Sequence, residues 1–113
     1  MVYKHIVMWK FKEQHNGKSA LENARWMKEQ LEALVGVVPE LLSAEVGISP
    51  ALEHAAPAPA PAASGEYDAC LVSTFASPEA LAAYKIHPKH KAISAYCKEA
   101  RLKRLAFDWW SEE

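Results

Sequence analysis

The sequence predicts an α+β protein in which an antiparallel sheet carries its helices on one face. Three observations predict it. The periodic segments run strand, helix, strand, strand, helices, strand, which is the split βαβ order. A chain of 113 residues supports one domain, residues 1–113, and not two. The first strand is apolar on both sides, so it belongs at the centre of a sheet whose second face needs its own cover. A single helix layer cannot cover both faces. A second copy of the chain, packed sheet against sheet, can, and a homodimer is expected.

Residues 2–12 alternate, with Tyr3, His5, Val7, Trp9 and Phe11 on one side and Lys4, Ile6, Met8, Lys10 and Lys12 on the other. Period two with β-branched and aromatic residues means a strand. Turn chemistry fills residues 13–18. Ser19 then offers an N-cap, and Glu22 completes a capping box. A helix is predicted to about Val35, with Ala24, Met27, Leu31, Leu34 and Val35 as its stripe and Gly36 as its C′ residue. Glu22, Arg25, Lys28, Glu29 and Glu32 form its wet side.

Leu41 to Ile48 reads as a strand with Leu42, Ala44, Val46 and Ile48 on one face. Residues 49–65 are an Ala- and Pro-rich insertion, stiffened toward polyproline II and short of donors. So long a loop is expected to be a mobile insertion or a recognition segment. Glu66 to Phe75 is the next strand, with Tyr67, Ala69, Leu71, Ser73 and Phe75 sharing a face. Ser77 caps a helix that Pro78 opens and that ends near His87, because Pro88 biases its predecessor away from helical geometry. Pro88 opens a second helix, expected to reach about Lys103, with Arg101, Lys103 and Arg104 at its C-terminal end. Leu105 to Trp110 is the last strand, with Leu105, Phe107 and Trp109 on one side. Ile6, Met8, Val72 and Trp110 are expected on the sheet face away from the helices.

Thirteen basic and fourteen acidic residues give a net charge of −1, which excludes the broad basic surface of a dedicated nucleic-acid binder. No apolar run approaches the roughly 18 residues of a membrane span. The N-terminus enters a strand at once and lacks the features of a secretory leader. Two cysteines, Cys70 and Cys97, make no disulfide framework and read as ordinary buried residues. A cytoplasmic protein is expected.

The residues that bear chemistry are few. His15 and His54 lie in turn-like segments and read as solvated. His5 sits on the apolar sheet face, either as a core histidine bonded to backbone or as part of a pocket between sheet and helices. His87 and His90 flank the helix break, and Tyr84 lies one turn earlier. A tyrosine and two histidines at one apolar cavity can move protons, because imidazole titrates near neutrality. Lys85, Lys89 and Lys91 would make the mouth attractive to anions. The simpler alternative is that Pro88 and its neighbours build a turn. Metal binding is not expected, since no carboxylate or cysteine cluster supports the histidines. No serine nucleophile elbow, phosphate-binding glycine loop or Cys-x-x-Cys is present.

The run from Val2 to Lys12 resembles the opening strand of the stress-responsive A/B barrel domain (Dabb) family. Val38-Pro39, Tyr67-Asp68, the run from Leu81 to His90 and the closing Leu105-Ala106-Phe107-Asp108 fit the same family. The resemblance spans nearly the whole chain, apart from residues 13–18 and 49–65. It implies a ferredoxin-like βαββαβ protomer and a dimeric α+β barrel. One plant branch, olivetolic acid cyclase, closes a linear polyketide into an aromatic ring. The resemblance to that branch implies catalytic roles for Tyr84 and His90, a pocket position for His5 and a structural role for His87. The pocket wall is expected from Val7, Trp9, Met27 and Leu31. Trp9 narrows the cavity, so a long alkyl polyketide is not the expected substrate.

The leading expectation is therefore a stress-responsive dimer that binds a small, partly apolar molecule; whether it is an enzyme is left open, and the catalysis open to it is proton transfer on that molecule, which requires no cofactor. In that scheme His90 is the acid or base, Tyr84 steadies a developing oxyanion and His5 holds the substrate. The alternatives are a non-catalytic binding or structural stress protein, with a partner docking on residues 49–65, and a barrel related to heme- or oxygen-using monooxygenases. The last rests on fold analogy alone.

Overall fold

The computed structural model describes residues 1–54 and 66–113. The central strand β1 (Val2–Phe11) pairs antiparallel on one side with β5 (Ala69–Phe75) and on the other with β6 (Arg101–Ser111). The edge strand β4 (Ser43–Ile48) pairs with β5, giving a four-stranded sheet in the order β4-β5-β1-β6. Helices α1 (Ala20–Glu32), α3 (Pro78–Ile86) and α4 (Pro88–Ala100) accompany the sheet. This is the ferredoxin-like α+β arrangement. Val7, Trp9, Phe11, Leu71 and Phe75 on the sheet meet Met27, Leu31, Leu81, Tyr84 and Ile93 on the helices in one buried core.

Residues 13–18 are more ordered than a plain turn. A small hairpin, β2 (Gln14–His15) and β3 (Lys18–Ser19), closes through Asn16 (φ 56°) and Gly17 (φ 73°). Two consecutive left-handed residues match the twist of a tight hairpin, which is why Asn-Gly sits there. His15 is not simply solvated: its ring meets Tyr96 at 5.5 Å, and its carbonyl accepts from buried Asn23. Tyr96 in turn donates to Asn23 Oδ1 at 2.5 Å, tying the hairpin to α1 and α4.

Ser19 and Glu22 form the expected capping box. The helix ends at Glu32, three residues before Val35. The chain then tightens into turns, with Val37 N–H and Val38 N–H both donating to the Leu34 carbonyl, and Gly36 adopts φ 87°. Leu34 stays buried while Val35 is exposed. Lys28 and Glu32, read as wet, instead clasp β4: Glu32 accepts from Val46 N–H at 2.9 Å and Lys28 donates to the Val46 carbonyl at 2.6 Å.

In β4, Leu42 is exposed and Leu41 is buried. Regular pairing begins only at Ser43 opposite Thr74, so period two does not extend back to Leu42. Pro50–Glu53 forms a single helical turn, α2. Residues 55–65 of the expected insertion lie outside the described residues.

The largest correction concerns the last strand. Arg101 is already extended (φ −91°, ψ 152°), and Arg101–Arg104 belong to β6 and not to a helix end. Pairing along the whole of β1 outweighs the local preference for cations at a helix C-terminus. The register also reassigns the faces. Directly paired residues project from the same face. Ile6 faces Phe107 and Val72, and Met8 faces Leu105 and Cys70, all away from the helices. Trp110 is therefore not on that outer face; it stands opposite Tyr3 on the helix side, 5.1 Å from it edge-on. Phe107 is 64% exposed and Leu105 52%. No helix among the described residues is long and apolar enough to cross a membrane.

Candidate functional site

Local chemistry fixes the helix break. Ser77 caps α3 by accepting from Ala80 N–H, and Pro78 takes the first turn, where its missing donor costs nothing. His87 closes α3, and its Nδ1 accepts from Lys89 N–H, so it also caps α4. This ring is occupied with backbone and builds the turn. Three residues on, His90 turns back against α3. Its Nδ1 lies 3.1 Å from the Lys85 carbonyl, an acceptor only, so Nδ1 carries the proton and donates. Nε2 is left as the bare nitrogen.

His5 reaches the same place from the sheet. It is buried, and Asp108, paired with it across β1 and β6, approaches its Nδ1 at 2.5 Å. His5 therefore also keeps its proton on Nδ1 and leaves Nε2 bare. Burial lowers the pKa of His5 below 6.5, against the opposing pull of Asp108. Burial likewise lowers that of His90, against its bond to Lys85. Both imidazoles are thus neutral bases at pH 7.

Between sheet and helices lies a cavity of about 360 Å³. Its apolar wall includes Val7, Trp9, Leu31, Leu71, Ile93 and Cys97, and both His5 and His90 line it. Burial pushes the Cys97 thiol up to about 12, so it is protonated. The sequence placed Met27 in this wall, but Met27 is fully buried in the core and does not line the cavity. Tyr84 does not line it either. It lies behind His90, with ring centroids 4.3 Å apart, and stacks on Phe75 at 5.1 Å. Among the described residues its hydroxyl is the buried side-chain polar atom without a hydrogen-bond partner. Burial raises the Tyr84 pKa well above its usual range, so it stays a donor.

Of the expected lysines, Lys85 lines the cavity and Lys89 and Lys91 do not. Lys98, Arg101 and Arg104 join Lys85 there. The arginines and Asp108 were missed as site residues. The alternation of Leu105, Phe107 and Trp109 held the signal for Asp108, since it puts Asp108 and Arg104 on the opposite face. No group of three His, Cys, Asp or Glu side chains among the described residues is placed to hold a metal ion.

Solved structures share this fold. A dimeric ferredoxin-like protein of unknown function from Bacteroides fragilis matches with a TM-score of 0.76 at 24% identity, over 97% of this chain and 96% of that one. The hydroxynitrile lyase of Passiflora edulis matches with a TM-score of 0.73 at 18% identity, over 99% and 95%. A Dabb-family protein from Mesorhizobium loti matches with a TM-score of 0.68 at 15% identity, over 99% and 98%. No curated protein matches the chain. The model of the stress responsive A/B barrel domain matches residues 3–111, and the chain belongs to that family.

Proposed function

We propose that the protein is a homodimer that binds a small, partly apolar molecule in the His5–His90 cavity and catalyses proton transfer on it. The observation that carries this reading is the pair of neutral imidazoles, each with Nδ1–H held by an oxygen, at one apolar cavity. A base works best when it is neutral at working pH and fixed in orientation. His90 Nε2 takes a proton from the bound molecule and returns it later in the cycle. Tyr84, buried behind His90, packs its ring on the imidazole and backs that base from the side away from the cavity. His5, oriented by Asp108, holds the substrate. Ring closure of a short polyketide-like chain is one reaction of this type. The Passiflora hydroxynitrile lyase is an enzyme on the same fold, which supports catalysis as an option for the scaffold.

The dimer half of the proposal rests on the outer sheet face. Ile6, Met8, Val72, Leu105 and Phe107 form an apolar surface without a covering layer among the described residues, and a second sheet is its natural cover. Structures of the same fold from Bacteroides fragilis and Thermobifida fusca are described as dimeric.

Native mass spectrometry of freshly purified protein tests both halves. The expected result is a dimer carrying a discrete small molecule. Turnover of that molecule should vanish in His90→Ala while the dimer persists. A bare monomer would overturn the assembly, and undiminished turnover in His90→Ala would remove His90 from the chemistry.

A further inference from the structure

The cavity that holds the two histidines has an uneven charge. The chain as a whole carries −1, yet the described residues lining the cavity include Lys85, Lys98, Arg101 and Arg104 and no carboxylate. None of these four cations has an ion-pair partner among the described residues. The nearby acid, Asp108, is engaged with His5. Elsewhere on the surface, cations such as Lys28, Lys10 and Lys103 are paired. The two arginines reach the cavity from β6, where Arg104 stands opposite Trp9 and Arg101 opposite Phe11. Burial and the Arg101 charge both act against the Arg104 cation and outweigh the opposing pull of Asp108. An arriving anion would relieve that repulsion, and a guanidinium matches an oxyanion with two parallel hydrogen bonds.

We propose that Arg101 and Arg104, backed by Lys85 and Lys98, select a ligand with an oxyanion group on an apolar body, a carboxylic acid or a phosphate monoester. The anion sits at the cationic edge of the cavity, and the apolar body lies against Val7, Trp9 and Ile93. The inference rests on the preceding reading, since the cavity must take a small molecule at all. It has a consequence for the chemistry. The Lys85 and Arg104 charges act against protonation of both His5 and His90. A bound anion offsets those charges, so ligand binding itself makes the two bases stronger.

The test compares three probes with one apolar body in isothermal titration calorimetry: 3-phenylpropanoate, 3-phenylpropyl phosphate and 3-phenylpropan-1-ol. At low salt, at least one anion should bind about tenfold tighter than the alcohol or better. The preference should shrink as salt rises. The Arg101→Gln/Arg104→Gln double variant should lose the preference and keep binding the alcohol. The tighter of the two anions identifies the source of the oxyanion. Should the double variant fail to fold, Arg104→Gln alone and the salt dependence of the wild type carry the same test. Alcohol binding equal to or better than both anions would overturn anion selection and leave the cavity reading standing. Binding of none of the three would overturn both. A preference that survives in the variants would take the role away from the arginines.

Discussion

Phe107→Ala is the sharpest test of how the sheet is used. Phe107 projects from the outer face beside Ile6 and is 64% exposed in the protomer. Among the described residues it belongs to no buried cluster, and its ring contact is with Trp109, 5.8 Å away. Truncating it therefore leaves the protomer core intact. Burying a phenylalanine side chain contributes about 1.5–3 kcal/mol. Scaled by the exposed share and counted twice across a two-fold axis, this comes to about 2–4 kcal/mol at a dimer interface. The dissociation constant of the dimer should rise by roughly 30- to 700-fold. Sedimentation velocity over a dilution series reads that constant directly, with circular dichroism to confirm that the variant is folded. An unchanged dissociation constant in a folded variant would refute the outer face as the interface, and with it the argument from the uncovered sheet.

Three further outcomes follow from the site and its supports. The folded-state pKa values of His5 and His90 lie below 6.5, chiefly through burial. Below pH 6.5 the unfolded chain therefore takes up protons that the folded chain does not, so the stability these sites contribute is full above pH 6.5 and falls as the pH drops toward the folded-state values; urea midpoints in His90→Asn should show a shallower loss between pH 7.5 and 5.5 than the wild type, and identical slopes would contradict the assignment. Asp68 is buried and accepts from Phe11 N–H at 2.8 Å and Lys10 Nζ at 3.2 Å, where the β1–β6 register shifts; Asp68→Ala should destabilise by about 2–4 kcal/mol, because it orphans a buried donor, and a thermal midpoint within a degree or two of wild type would be inconsistent with that. Tyr84→Phe removes a buried hydroxyl without a partner among the described residues; it should leave the protein equally stable or more stable by up to about 1–3 kcal/mol, and a clear loss of stability would show that the hydroxyl is already paired.

Much of this fold is legible because local signals agree with tertiary ones. The alternation of β1, the Ser19–Glu22 box and the Pro88 break each report a short-range preference that packing reinforces. The α4–β6 boundary is different. Arg101 to Arg104 satisfy a local rule for helix ends, but β1 offers a full-length pairing partner that sequence spacing does not show. The site divides along the same line. His5, Tyr84 and His90 stand out by residue type and by the helix break. Local alternation puts Asp108 and Arg104 on the helix-side face, but their meeting with His5 and Trp9 depends on a register linking residues about a hundred positions apart, and Met27 is buried in the core and does not line the cavity.

Strand β6 thus holds two interleaved sets of letters. Arg104 and Asp108 project on the helix side, where Asp108 meets His5, and Leu105 and Phe107 project from the outer face. On the proposed reading, substitution in one set leaves the other in place, so ligand chemistry and assembly would diversify separately within one strand. A one-residue insertion or deletion is another matter. It would exchange the two sets, bringing Phe107 or Trp109 opposite His5 and turning Asp108 to the outer face. Change in this strand is therefore confined to spelling, never to length.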